Sequence, residues 1–182
     1  MRKGLIPMEA YIAILAAFTV PLSVYTRLPM WATYVTWAGA FLVAPNAEGI
    51  KKLYPTLALG TISGVIFFIL AFTLDPLTGS VAVTNSAIVF AMTLALLYVA
   101  RIPIFALVPG IFFGFSCFVA VAITAQVTTI SGLFTPWLNS TITLLLGPPL
   151  AWLSVAPYVP REIQGGVPRV AVPAAENAPA SS

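Results

Sequence analysis

The chain has 182 residues, of which 60% are hydrophobic and 7% charged, with a mean hydropathy of +1.02. A soluble domain carries about 25% charged residues, so a water-soluble fold is excluded and one membrane-embedded unit is expected. Histidine is absent and Cys117 is the only cysteine, which rules out an intrachain disulfide, a zinc or haem site and a histidine-activated nucleophile.

Six apolar stretches follow one another, at 8–25, 29–44, 57–74, 83–100, 103–125 and 137–158. A helix needs about 20 residues to cross the hydrocarbon core, within a range of about 17–25. Five stretches meet this, and the second is slightly short. The first has a basic start, Arg2 and Lys3, but no small-residue cleavage site; Val20-Pro21-Leu22 continues the apolar run. It reads as a retained helix rather than a signal peptide.

In the second stretch Trp37 lies six residues past Trp31, about 9 Å deeper, too deep for an interfacial belt. The third and fifth carry Gly60-x-x-x-Gly64 and Gly110-x-x-x-Gly114. Missing side chains at i and i+4 let two helices approach closely, gaining packing that lipid does not provide. Those four glycines are expected at helix contacts. Asn85 and Asn139 stand near the starts of the fourth and sixth stretches as candidate N-caps. Pro109 and Gly147-Pro148-Pro149 are expected to break the fifth and sixth helices and to free backbone carbonyls.

Beyond Pro160 the composition shifts to glycine, proline, alanine and serine, which cannot bury enough apolar surface to fold. The expected organisation is a six-helix transmembrane domain over 1–159 and a disordered cytoplasmic tail over 160–182.

Charge placement gives the orientation. With the N-terminus inside, Arg2, Lys3, Lys51, Lys52, Arg101, Arg161 and Arg169 fall on the cytoplasmic side and only Arg27 outside. Short loops with excess lysine and arginine stay cytoplasmic. The aromatic residues agree: Tyr25, Trp31 and Trp137 fall at the outer interface, and Tyr11, Tyr54, Tyr98 and Tyr158 at the inner one. The positive charge therefore marks topology, not nucleic-acid affinity.

A weak internal duplication is visible. Gly39-Ala40-Phe41 matches Gly110-Ile111-Phe112, and Pro55 and Gly64 match Pro136 and Gly147. Three spans per half would make the repeat inverted, as in many transporters that bind solute where the halves meet. No Asp, Glu, Lys or Arg lies deep within a span, so a proton relay through buried charges is not expected.

Thr36-Trp37-Ala38-Gly39-Ala40-Phe41, Leu57-Ala58-Leu59-Gly60 and Leu107-Val108-Pro109-Gly110-Ile111-Phe112-Phe113-Gly114 resemble a bacterial inner-membrane family catalogued as domain of unknown function 1097. The resemblance covers most of 10–155 and departs at Pro45-Asn46-Ala47-Glu48-Gly49, where the family often has a glycine-rich segment. It implies a small multi-helix membrane protein and brings no catalytic residue.

The expectation is an all-α polytopic protein of the bacterial inner membrane, non-enzymatic and without cofactor or metal, with both termini cytoplasmic. The leading function is a channel or facilitator for a small neutral solute, with a path near Trp37, Gly39, Phe41, Pro109, Gly110, Phe112 and Asn139. The alternatives are an accessory or structural subunit of a larger membrane complex, and a substrate-binding component of an energy-coupled vitamin transporter. The expected partners are the lipid bilayer and either further copies of the chain or that larger complex, with no nucleic acid.

Overall fold

In the computed structural model, which describes residues 7–43 and 45–158, the chain forms six α-helices and no strand among those residues. They are α1 (Met8–Thr26), α2 (Trp31–Val43), α3 (Ala47–Thr78), α4 (Val81–Val99), α5 (Val108–Thr124) and α6 (Phe134–Val155). Short 3-10 turns, Pro103–Phe105 and Ile130–Leu133, precede α5 and α6. The tail proposed for 160–182 lies outside the described residues.

The protein is an all-α polytopic membrane protein. Helices α1, α3, α4 and the run Ile130–Val155 are each long and apolar enough to cross a bilayer, and α5 is a shorter apolar helix of 17 residues. The 13 residues of α2 extend only about 20 Å, less than the hydrocarbon thickness of about 30 Å. Conversely, the 32 residues of α3 extend about 48 Å, ten residues earlier than its apolar stretch begins. The cause is a good N-cap: Asn46 Oδ1 accepts from the Gly49 amide at 2.9 Å. Pro55 is carried inside this helix.

Three expectations need correction. Pro109 does not kink a helix; α5 starts at Val108, and Pro109 occupies the first turn, where a missing amide costs nothing. Neither Asn85 nor Asn139 caps a helix. Both lie within the helices, and the residues at the cap positions are Ser80 and Leu133. Gly147-Pro148-Pro149 does not interrupt α6, which runs unbroken from Phe134 to Val155.

The continuity of α6 through its prolines has a specific cause. Prolines 148 and 149 have no amide to offer the carbonyls four residues earlier, those of Leu144 and Leu145. Thr36 Oγ1 of α2 donates to Leu144 O at 2.8 Å, and the Tyr54 hydroxyl of α3 donates to Leu145 O at 3.2 Å. Thr33 Oγ1 adds a bond to Thr143 O at 2.9 Å. Each freed carbonyl thus finds a donor on a neighbouring helix.

Two parallel pairs form the centre, α3 with α5 and α2 with α6. In the first, Gly60 and Gly114 sit against each other. A Cβ on Gly60 would collide with Ile111 O and lie 2.8 Å from Phe115 N; one on Gly114 would collide with Leu57 O. Gly64 is covered by the Phe118 ring, and Gly110 lies against Thr56 and Leu53. In the second pair, a Cβ on Gly147 would collide with Thr36 Oγ1 and lie 2.6 Å from both Thr33 O and Trp37 N. Helices α1 and α4 are peripheral; Thr19 is the single buried residue of α1. Tyr34, whose hydroxyl bonds Thr19 and Ala16 O, ties α1 to α2.

Two predictions follow from these contacts. Gly60→Leu or Gly114→Leu is expected to lower the melting temperature in detergent, through a loss of about 1–3 kcal/mol from overpacking, whereas Ala82→Leu on the exposed face of α4 is expected to be silent. Removing the donor in Thr36→Val should cost about 1–2 kcal/mol. Adding Pro148→Ala should recover most of that loss, because residue 148 then supplies its own amide. Thermal unfolding of the four proteins of this cycle measures the rescue.

Candidate functional site

A cavity of about 640 Å³ opens at the end where α1 turns into α2 and α5 leads into α6. Two left-handed residues shape it. Arg27 (φ 57°) ends α1, its amide donating to Ser23 O at 2.9 Å, and Gln126 (φ 52°) turns the chain after α5, its amide donating to Ile123 O at 2.9 Å. Pro29 then prevents α1 from continuing, so the chain doubles back into α2.

Three walls surround the cavity: Ser23, Arg27, Leu28 and Pro29 from the α1–α2 turn; residues 124–129 with Val121 from the end of α5 and the link beyond it; and Gly132, Thr135, Pro136 and Asn139 beside and along α6. Ser23 and Thr124 turn their hydroxyls to backbone carbonyls. The side chains of Arg27, Gln126, Thr128, Thr135 and Asn139 make no hydrogen bond within the described residues. They leave hydroxyl, amide and guanidinium groups available to a solute. The lining includes no carboxylate.

One helical turn deeper the cavity closes. Ala32, Cys117 and Leu144 form a buried cluster from α2, α5 and α6, and Thr33 and Thr143 beside them are fully buried. The Thr143 hydroxyl bonds to Asn139 O and Ser140 O at 2.9 Å, so it is satisfied within its own helix. The floor is therefore polar but uncharged and shut.

Of the residues expected to line a path, Asn139 alone is part of this cavity. Trp37 is buried and stacks on Tyr34 with ring centroids 6.1 Å apart. Gly39 lies under the Phe113 ring and Gly110 under Thr56. Pro109 is exposed at the start of α5, while Phe41 and Phe112 are 46% and 37% exposed. Trp37, Gly39 and Gly110 therefore meet at one packed cluster, through Phe113 and Leu53, whereas Phe41, Pro109 and Phe112 face outward.

As cavity residues, Arg27, Gln126, Thr128 and Thr135 escape notice in the sequence because they sit in loops or at a helix start rather than in an apolar run. One signal could have flagged the first. Arg27-Leu28-Pro29 recurs as Arg101-Ile102-Pro103, each just beyond the end of a hairpin's first helix.

With Cys117 replaced by alanine, Thr135→Cys and Asn139→Cys are expected to react quickly with a membrane-impermeant maleimide in reconstituted protein. Thr33→Cys and Thr143→Cys are expected to stay unmodified, as measured by mass shift over time.

Compared with known proteins, the chain matches no curated protein and no solved structure. A family model, described as a protein of unknown function (DUF1097), matches residues 11–156, which span all but the edges of the six-helix bundle. The chain belongs to the DUF1097 family.

Proposed function

We propose that this protein is a facilitator that carries a small, polar, uncharged solute across the membrane, without covalent chemistry. The observation that carries the reading is the cavity of about 640 Å³, whose hydroxyl and amide groups can replace a solute's hydration. Its shut floor favours a carrier over an open pore, since a solute held there advances only when helices move. The absence of charge along the deep walls suits a neutral solute, because hydroxyls bind it without the desolvation cost of buried ions.

The orientation in this reading puts the Arg27 cavity outside and the Lys51, Lys52 and Arg101 end in the cytoplasm of a bacterial cell, with both termini cytoplasmic. The seven-to-one division of basic residues supports it. The bilayer is then the principal partner, covering the exposed outer sides of α1 and α4.

Stopped-flow swelling of proteoliposomes with urea, acetamide and glycerol tests the proposal. At least one solute is expected to enter faster than in protein-free liposomes. Thr135→Leu or Asn139→Leu should slow it by about twofold to tenfold, the effect of one lost hydrogen bond. Equal rates with and without protein for all three would replace the facilitator reading with that of an accessory subunit.

A further inference from the structure

The helix pairs repeat themselves. Exchanging α1, α2 and α3 for α4, α5 and α6 turns the α2–α6 contact into α5–α3, α1–α6 into α4–α3, and α2–α3 into α5–α6; all six contacts are present. The crossings also match in detail. Gly60 of α3 rests against a carbonyl (Ile111), the residue three further (Gly114) and the amide four further (Phe115). Gly147 of α6 rests against Thr33 O, Thr36 and the Trp37 amide, the same three places on α2. This register differs from the one suggested by Gly39 and Gly110 in the sequence.

The same offset of 87 residues that carries Gly60 onto Gly147 carries Glu48 onto Thr135 and Lys52 onto Asn139. Thr135 and Asn139 line the large cavity. Glu48 and Lys52, with Lys51, Pro103 and Ile104, line a cavity of about 240 Å³ at the opposite end. Pro29 and Pro103, of the two Arg-x-Pro turns, complete the correspondence. The two arginines differ in state: Arg27 lines its cavity, whereas the Arg101 guanidinium lies over the Tyr98 ring, 4.2 Å from its centroid. At the α3–α6 contact, between the two ends, a cavity of about 70 Å³ holds Thr61 and the unpartnered hydroxyl of Thr141.

We propose that the cavity at Glu48, Lys51, Lys52, Pro103 and Ile104 is a second mouth of the same solute path, with Arg101 the counterpart of Arg27, and that the two mouths open alternately. The structure then shows one of two related states, wide at Arg27 and narrow at Arg101. The solute presents an acceptor oxygen to the guanidinium of whichever mouth is open, since arginine only donates. That a solute crosses at all rests on the facilitator reading. The alternation of the two ends does not.

Distances between spin labels in lipid nanodiscs, with Cys117 replaced by alanine and no solute added, test the alternation directly. One labelled pair, Leu28→Cys with Thr129→Cys, spans the large cavity; another, Lys51→Cys with Ile104→Cys, spans the small one. Tyr98→Leu removes the ring that holds Arg101 from an exposed position, so folding is unaffected. It is expected to lengthen the second distance and shorten the first, shifting the ratio of the two states by about twofold to fivefold, the effect of one exposed cation–π contact. Unchanged distances at both ends, a change at one end alone, or changes of the same sign would overturn the proposal. A failed uptake assay with opposite shifts intact would remove the solute and leave the alternation standing.

Discussion

Lipid offers no hydrogen bonds, so each backbone carbonyl within the membrane must be satisfied by the protein itself. That constraint organises the α2–α6 half of the bundle. Two consecutive prolines leave Leu144 O and Leu145 O without amides, and the donors that reach them are hydroxyls on adjacent helices. Thr36 and Tyr54 supply them, which fixes where α2 and α3 stand along α6. Gly147, immediately before the prolines, makes the approach close enough for Thr36 to reach. The glycine and the prolines act as one device: the first admits the neighbouring helix, and the second provides the acceptors that hold it.

The other half reaches the same geometry by different chemistry. Around Gly60 and Gly114 the α3 and α5 backbones touch, and the flanks are filled by Phe67, Phe68, Phe115 and Phe118 in edge-on contact. Here dispersion, not hydrogen bonding, supplies the attraction. Similar crossings built from unlike residues explain why the repeat is faint in the sequence. What is duplicated is the position of a glycine beneath a neighbouring helix turn, and a backbone position leaves little trace in side-chain identity.

The number of helices, their membrane character and the family were legible in the chain because hydropathy and short apolar motifs report them directly. Helix ends were less so. Asn46 extends α3 over a stretch containing Glu48, Lys51 and Lys52, which hydropathy assigns to a loop. Proline misled in both directions, since its effect depends on position in the helix and on partners distant in sequence: Pro109 is harmless in a first turn, and Pro148 and Pro149 are compensated from α2 and α3. The cavity was nearly invisible for a related reason. Its walls come from three separate loops and helix ends, and Asn139 was the only one of its residues that the sequence marked as part of a solute path.

The polar contacts at the floor also bear on how the bundle can move. A buried ion pair would lock two helices, because separating the partners leaves uncompensated charge. Hydroxyls behave differently. Thr36 Oγ1 lies 2.8 Å from Leu144 O on α6 and 3.3 Å from Thr33 O on its own helix, and Thr143, Ser140 and Ser154 bond entirely within α6. When α2 and α6 separate, Thr36 keeps an acceptor one turn away, and the others lose nothing. The cost falls on Leu144 O, left by Pro148 without an amide, and on the Thr33 hydroxyl, which gives up Thr143 O. Each group left unsatisfied costs about 1–3 kcal/mol, small enough for thermal crossing and large enough to favour a closed floor.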